Sequence, residues 1–279
     1  MISIIENCLY KLKEYKIPSP ELDLKILIQE ASINNKEVIL SNINVEDIDL
    51  KYLNFLVSER LNRVPISKII NKKNFWKDQF FVNSHVLDPR PETELIIEEV
   101  LNITKDRSKK LKILDIGTGS GCLAISIAKE LINSNVTAID NSINAVEAAK
   151  KNIKLHNVKN QVKVINFKIE NIEKLNNKFD IIISNPPYVK KNEYKKLDKE
   201  IIRYEPKSAL IGGNDGLKYY RMLSKKIEKI MKKNSFFIFE IGYGQLDDCI
   251  KIFNNTDLIL INVSKDLQNI DRTLTFYKI

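Results

Sequence analysis

Cysteine and histidine are scarce in this chain. Its three cysteines, Cys8, Cys122 and Cys249, are widely separated and odd in number. They make neither a disulfide framework nor a zinc knuckle, and they suit a reducing cytoplasm. The two histidines, His85 and His156, leave no basis for a His-based metal site. Apolar runs are short, and none approaches the roughly 18 residues of a membrane span. The opening residues Met1-Ile2-Ser3-Ile4-Ile5-Glu6 reach an acid before a secretory apolar region can form. Collagen-like, disulfide-rich, zinc-binding and transmembrane classes are thereby excluded. What remains is a 279-residue chain with 43% hydrophobic and 29% charged residues. That is enough for a sizeable core, in one large domain or a domain with a smaller companion.

The charge is lopsided, with 45 basic against 36 acidic residues and a net charge of +9. A basic balance invites a nucleic-acid partner. Only seven of the basic residues are arginine, the side chain that reads bases bidentately. A solvated lysine surface therefore accounts for most of the excess. The exception is the crowd Lys190, Lys191, Lys195, Lys196 and Lys199, placed to meet an anionic partner such as ribosomal RNA or an acidic protein face.

The first seventy or so residues read as helices. Ile2, Ile5, Leu9 and Leu12 recur at spacings of three and four. Ser19-Pro20-Glu21 reads as an N-cap followed by proline at the first helical position. Leu24, Leu27, Ile28 and Ala31 form a second apolar stripe, and Ile48, Tyr52, Phe55 and Leu56 a third. Phe75-Trp76 and Phe80-Phe81-Val82 suggest a hairpin, and Pro89-Arg90-Pro91-Glu92-Thr93-Glu94 then opens a helix through Leu95, Ile96 and Val100. From Lys112 strand-like runs alternate with helical segments: 112–116, 136–140, 162–167, 180–184, 236–241, 258–263 and 273–278. The expected fold is α/β, a seven-stranded, mostly parallel, doubly wound sheet with a smaller N-terminal helical bundle. The expected divisions are a bundle over 1–73, a connector over 74–90, and the sheet domain over 91–279.

Ile113-Leu114-Asp115-Ile116 reads as a buried strand feeding Gly117-Thr118-Gly119-Ser120-Gly121 and then a helix. Strand, glycine turn and helix make the nucleotide-binding unit of such sheets. The spacing misses the G-x-G-x-x-G dinucleotide pattern, since Cys122 holds the sixth position, and the Lys-Ser/Thr ending of a P-loop is absent. Asp140 ends the next strand, about 20 residues on, where an acid accepts hydrogen bonds from ribose hydroxyls. A ribose reader without a pyrophosphate cradle suits S-adenosylmethionine.

Ser184-Asn185-Pro186-Pro187-Tyr188 follows the fourth strand of the series. Two prolines cannot continue a central strand, so the chain turns out over the sheet's carboxyl edge, where ligands bind. These residue types suit a planar NH2 group, an amide or an exocyclic base amine. Its nitrogen lone pair is delocalised and poorly nucleophilic. Acceptors at the Asn185 side chain and the Pro186 backbone carbonyl would bind its hydrogens and help localise that pair. Tyr188 would stack on the planar group.

Together these motifs resemble the class I S-adenosylmethionine-dependent methyltransferases that carry Asn-Pro-Pro-Tyr. Within them the chain is similar to the peptide chain release factor N5-glutamine methyltransferases. Tyr204-Glu205-Pro206, Ala209-Leu210, Gly213, Asp215-Gly216-Leu217, Glu240-Ile241-Gly242 and Asp271-Arg272 extend the match over nearly the whole length. The resemblance implies methyl transfer from S-adenosylmethionine to the glutamine of the Gly-Gly-Gln loop of release factors. It implies a cofactor site of Gly117, Thr118, Gly119, Ser120, Gly121, Asp140 and Asn185, with Ile169, by position, beside the adenine. It implies a substrate site of Asn185, Pro186, Pro187 and Tyr188, with Asn185, Pro186 and Tyr188 catalytic, and a bundle that helps dock the release factor. The chain departs from the family at Asn71, where glycine is usual, and at Asp88, where a small apolar residue is usual. It departs again at Lys168-Ile169-Glu170, where an acidic–aromatic pair is expected.

Other readings share the planar-NH2 chemistry. One is glutamine methylation of a ribosomal protein; another is methylation of adenine N6 or guanine N2 in nucleic acid. The latter on DNA needs base flipping and a groove-reading module, and residues 1–73 carry a net charge of only +1. A non-catalytic binding protein would not need both motifs intact. The expectation is a cytoplasmic monomer with no metal, no membrane contact and no obligatory nucleic acid.

Overall fold

The computed structural model describes residues 2–33 and 45–279, so residue 1 and residues 34–44 of the expected bundle lie outside it. In chain order the regular elements are α1 (Ile2–Glu14), α2 (Pro20–Glu30), α3 (Leu50–Leu61), α4 (Ile66–Ile70), β1 (Lys72–Phe75), β2 (Asp78–Phe81) and α5 (Glu94–Ile103). They continue as β3 (Lys112–Ile116), α6 (Cys122–Glu130), β4 (Asn135–Asp140), α7 (Ile143–Leu155), β5 (Val162–Asn166) and β6 (Phe179–Ser184). The last are α8 (Lys199–Tyr204), α9 (Lys218–Ser224), α10 (Ile227–Ile230), β7 (Met231–Glu240), α11 (Leu246–Phe253), β8 (Leu258–Lys265) and β9 (Asp271–Lys278). The chain forms two compact units: one holds the residues up to Lys72 together with Lys199–Tyr204, the other Lys73–Asp198 and Glu205–Ile279. The sequence pattern places no part of residues 199–204 with the bundle. No helix of the described residues is long and apolar enough to cross a membrane.

The helical unit closes on Leu12, Leu27, Ile28, Leu53 and Leu56, all essentially inaccessible. In α3 the buried face is Leu53, Leu56, Val57 and Arg60, an i, i+3, i+4, i+7 set. The expected stripe is therefore out of phase: Ile48 and Leu56 are buried, but Tyr52 and Phe55 face outward and stack on each other at 6.3 Å. Apolar residues stand on both sides of this helix, and the inward side is the one carrying Arg60. Its Nε donates to Asp23 Oδ2 at 2.7 Å and its Nη1 to Glu200 Oε1 at 3.0 Å, which joins α2, α3 and α8. The Tyr204 hydroxyl adds a bond to the Asn62 carbonyl at 3.1 Å. Pro20 opens α2 as expected, but the Ser19 side chain makes no cap; its backbone carbonyl accepts from Asp23 N at 2.8 Å. Asn71, at the family's glycine position, ends α4 with a left-handed φ of 55°. Asparagine is among the few residues besides glycine that tolerate that region.

In the second unit β1 and β2 form the expected hairpin, and seven strands form one sheet in the order β5-β4-β3-β6-β7-β9-β8. The first five in that order are parallel, and β9 runs antiparallel to both β7 and β8. The central strands β3 and β6 are buried almost throughout, as their Ile- and Leu-rich runs require when helices cover both faces; Asp115 is the one acid inside the run of β3. One face packs on Ile96, Ile97 and Val100 of α5 and on Leu123, Ile125 and Ile127 of α6. The other packs on α9, α10 and α11, where Phe237, Phe239, Phe253 and Phe276 form a ring cluster with centroids 4.7–5.8 Å apart. The chain winds outward from β3 in one direction through β4 and β5, and in the other through β6 and β7. The carboxyl ends of β3 and β6 thus flank the switch point, where such sheets hold ligands.

Candidate active site

β3 ends in the glycine turn and β6 ends in Asn185-Pro186-Pro187, held side by side by the Ser184 hydroxyl, which donates to the Ile116 carbonyl at 2.9 Å. One cleft is lined by residues of both, including Gly117, Gly119, Asp140, Ile169, Asn185, Pro186 and Pro187. Gly117 and Gly119 have φ of +75° and +56°, and a side chain there would point into open space, so their lack of one leaves a cradle. Thr118, Ser120 and Gly121 do not line the cleft. Thr118 is buried and donates its hydroxyl to Asp115 Oδ2 at 2.6 Å. The Ser120 carbonyl accepts from Asn152 Nδ2 at 2.8 Å, and Gly121 faces Ala149 of α7, 3.2 Å from where a Cβ would sit.

Asp140 closes β4. Its Oδ2 accepts from Gly119 N at 3.0 Å and its Oδ1 from Ser142 N at 2.9 Å. Burial raises its pKa, and the backbone N–H groups of Ser142, Gly119 and Asn141 pull it back. Each carboxylate oxygen keeps a lone pair for a hydroxyl donor. Asp115, behind the loop, is fully buried with Oδ1 unpartnered; burial pushes its carboxyl up to about 7 against the Thr118 hydrogen bond.

Asn185 is fixed from behind. Its Nδ2 donates to Thr93 Oγ1 at 2.9 Å, and that hydroxyl donates to Glu240 Oε2 at 2.6 Å. Glu240 ends β7 fully buried. Burial pushes its carboxyl up to about 7, while hydrogen bonds from Thr93 and Tyr188 and the charge of Arg272 oppose the rise. Tyr188 is not a lining residue. Burial and Glu240 raise its hydroxyl pKa, and its ring lies 2.9 Å from where a Cβ on Gly242 would stand. Its carbonyl accepts from Gln245 Nε2 at 3.1 Å. Val189 N and O then bond Leu210 O and Gly212 N, each at 2.9 Å. The segment after the prolines is thus clamped by Gly212, Gly242 and Gln245, and its close approach explains the glycines at 212 and 242. Arg90 Nη2 grips both oxygens of buried Glu205 at 2.6 and 2.8 Å, tying Pro-Arg-Pro-Glu to Tyr-Glu-Pro.

Sequence reasoning missed Thr93 and Glu240 as partners of Asn185. It also missed Phe167, Tyr219 and His85 as cleft residues. Phe167 had a signal: it directly follows β5, in the aromatic place sought instead near Ile169, and its N–H bonds the Asp140 carbonyl at 2.9 Å. Thr93 and Glu240 had only their motifs, with nothing in the spacing to join them.

A glycine turn after the central strand, an acid ending the next, and a sheet finished by an antiparallel strand define a class I methyltransferase domain. Residues 90–239 match the methyltransferase small domain family. A bifunctional methyltransferase of Rickettsia bellii is 36% identical over 95% of this chain, which covers 52% of that protein. The chain spans about half the length, 52–57%, of the five Rickettsia relatives of this kind. A release factor glutamine methyltransferase of Buchnera aphidicola subsp. Baizongia pistaciae is 35% identical, with 91% of each chain covered. The ribosomal protein L11 methylase of Lactobacillus delbrueckii subsp. bulgaricus shares the fold, with a TM-score of 0.50 at 20% identity over 74% of this chain and 90% of that one. This chain belongs to the release factor glutamine methyltransferase family.

Proposed function

We propose that the protein transfers a methyl group from S-adenosylmethionine to the side-chain amide nitrogen (N5) of the glutamine in the Gly-Gly-Gln motif of peptide chain release factors. The observation that carries this reading is the convergence of Gly117, Gly119 and Asp140 with Asn185, Pro186 and Pro187 on one cleft. The residues fit the cofactor: an open backbone cradle at Gly117 and Gly119, a carboxylate with spare lone pairs for ribose hydroxyls, and apolar walls at Ile116, Ile139, Phe167 and Ile169 for an adenine. Thr118, Ser120 and Gly121 then shape the loop from behind the cleft. When bound, S-adenosylmethionine supplies an electrophilic methyl on its sulfonium.

The protein's own part is positioning. Asn185 Oδ1 and the Pro186 carbonyl accept the two hydrogens of the glutamine amide, which orients the NH2 group and favours a lone pair localised on nitrogen. Proline fixes the backbone that carries both acceptors, and the Thr93 hydrogen bond holds the Asn185 side chain, before the substrate arrives. Burial and its contact with Glu240 leave Tyr188 a supporting part, in place of the stacking face expected from its motif. The proton released on transfer passes to water. In this reading the helical unit docks the release factor, and the enzyme works as a cytoplasmic monomer without obligatory nucleic acid.

The test is methylation of purified release factor, ribosomal proteins and nucleic acid by the full chain with labelled S-adenosylmethionine. Label on release factor alone is expected. Label on ribosomal protein or on nucleic acid, with none on release factor, would replace the substrate.

A further inference from the structure

The hydrogen bonds behind Asn185 have a direction. A threonine hydroxyl carries one proton. That of Thr93 goes to Glu240 Oε2 at 2.6 Å, so Oγ1 is left as an acceptor, and it takes a proton from Asn185 Nδ2 at 2.9 Å. Thr93 and Glu240 are both buried, out of reach of competing water. A flipped amide would set Asn185 Oδ1 against an oxygen whose only proton is already given away. Among the described residues no protein donor reaches Oδ1 of Asn185, so the carbonyl end is the end left for a ligand.

We propose that Thr93 and Glu240 are positioning residues for the transfer: the Glu240 carboxylate, acting through the Thr93 hydroxyl, holds the Asn185 side-chain amide in the one orientation that offers Oδ1 to the substrate's NH2 group. The proposal rests on the reading of Asn185 as a hydrogen-bond acceptor for a glutamine amide. A flipped Asn185 would meet that NH2 group donor to donor. The relay depends on charge, because a protonated Glu240 can itself donate to Thr93 Oγ1, which frees the threonine proton for a flipped amide. The charged and titratable groups facing Glu240 are Tyr188 after β6, Arg272 on β9, Glu92 in the turn before α5, and Tyr220 on α9, whose hydroxyl donates to the Glu240 carbonyl at 3.1 Å. With the carboxyl pushed up to about 7 by burial, the relay forms as pH rises through that value.

The experiment compares wild type with Thr93→Val, Thr93→Ser and Glu240→Gln in the full chain. It reads kcat and KM with release factor, cofactor affinity by calorimetry, and the Asn185 Nδ2 protons by NMR of asparagine-labelled protein. Thr93→Val should lower kcat about 10- to 100-fold, as a misoriented positioning group does, while KM and cofactor affinity stay within about twofold. Thr93→Ser should return kcat to within about threefold of wild type. Wild-type kcat should fall below about pH 7, and Glu240→Gln should lose that acid limb. The Asn185 Nδ2 protons should exchange slowly in wild type and fast in Thr93→Val. Undiminished kcat in Thr93→Val, or an acid limb kept by Glu240→Gln, overturns the proposal and leaves the functional reading intact. Loss of cofactor affinity in parallel with kcat makes the role structural and also overturns it. If wild type transfers nothing to release factor, the functional reading fails, and the positioning role with it, while the NMR still reports whether the contact exists.

Discussion

In the proposed function Asn185 serves the substrate and Asp140 the cofactor, and each role can be tested alone. If Asn185 is the proposed acceptor for the reacting amide, its replacement with alanine should lower turnover by about 100-fold or more, the scale of a lost preorganised hydrogen-bonding group. Calorimetric affinity for S-adenosylmethionine should stay nearly unchanged; equal losses in both would remove Asn185 from the acceptor role. Asp140→Ala should instead weaken cofactor binding by about 1–3 kcal/mol, the worth of hydrogen bonds to a charged group. Unaltered affinity would contradict the ribose contact. Asp115 makes a prediction about stability. Its carboxyl moves from an ordinary 3.8 to about 7 on folding. An acid with a raised folded pKa binds its proton more tightly in the folded state. The stability it confers is therefore complete below pH 3.8 and is lost as pH climbs to about 7. The loss is on the order of 4 kcal/mol. Asp115→Asn cannot ionise, so its stability relative to wild type should improve across that window and level off above it. Denaturant titrations showing a constant difference would contradict this burial.

The strands of the sheet were legible in the sequence because burial on both faces demands largely apolar runs: Ile181–Ile183 is unbroken, and Ile113-Leu114-Asp115-Ile116 is interrupted only by Asp115. The hairpin was legible from its aromatics, and the glycine turn, Asp140 and Asn185-Pro186-Pro187 from their places after strands. The phase of α3 was not, since Tyr52 and Phe55 make an apolar stripe as good as the one that is buried. Nor was the company of α8, which rests on a contact between residues 140 positions apart, Arg60 and Glu200. The environment of Tyr188 was hidden for the same reason: Glu240, Gly242 and Gln245 come to it from distant sequence. Arg60 is the keystone of the helical unit. Arg60→Ala should destabilise that unit by about 3–5 kcal/mol, because Asp23 is left buried without its partner. It should also speed proteolysis within residues 189–206. An unchanged denaturation midpoint would show that α8 is held some other way.

At the scale of the whole molecule, the proposed docking of release factor by the helical unit can be tested apart from the chemistry of the sheet unit. Phe55, 58% exposed beside Tyr52, suits a test of recognition, because its removal leaves the buried core untouched. If the helical unit docks the release factor through this face, the paired change Tyr52→Ala and Phe55→Ala should raise KM for intact release factor about tenfold. It should leave the melting temperature and cofactor affinity as they were. Unchanged KM would move docking away from α3. The identity of the methylated atom decides the proposed function. The direct measurement is intact mass and peptide mapping of a release factor after incubation with this protein and S-adenosylmethionine. One added methyl group is expected, on the glutamine of Gly-Gly-Gln, absent when Asn185→Ala replaces the wild type. An unmodified glutamine, with the release factor folded and the cofactor bound, would contradict it.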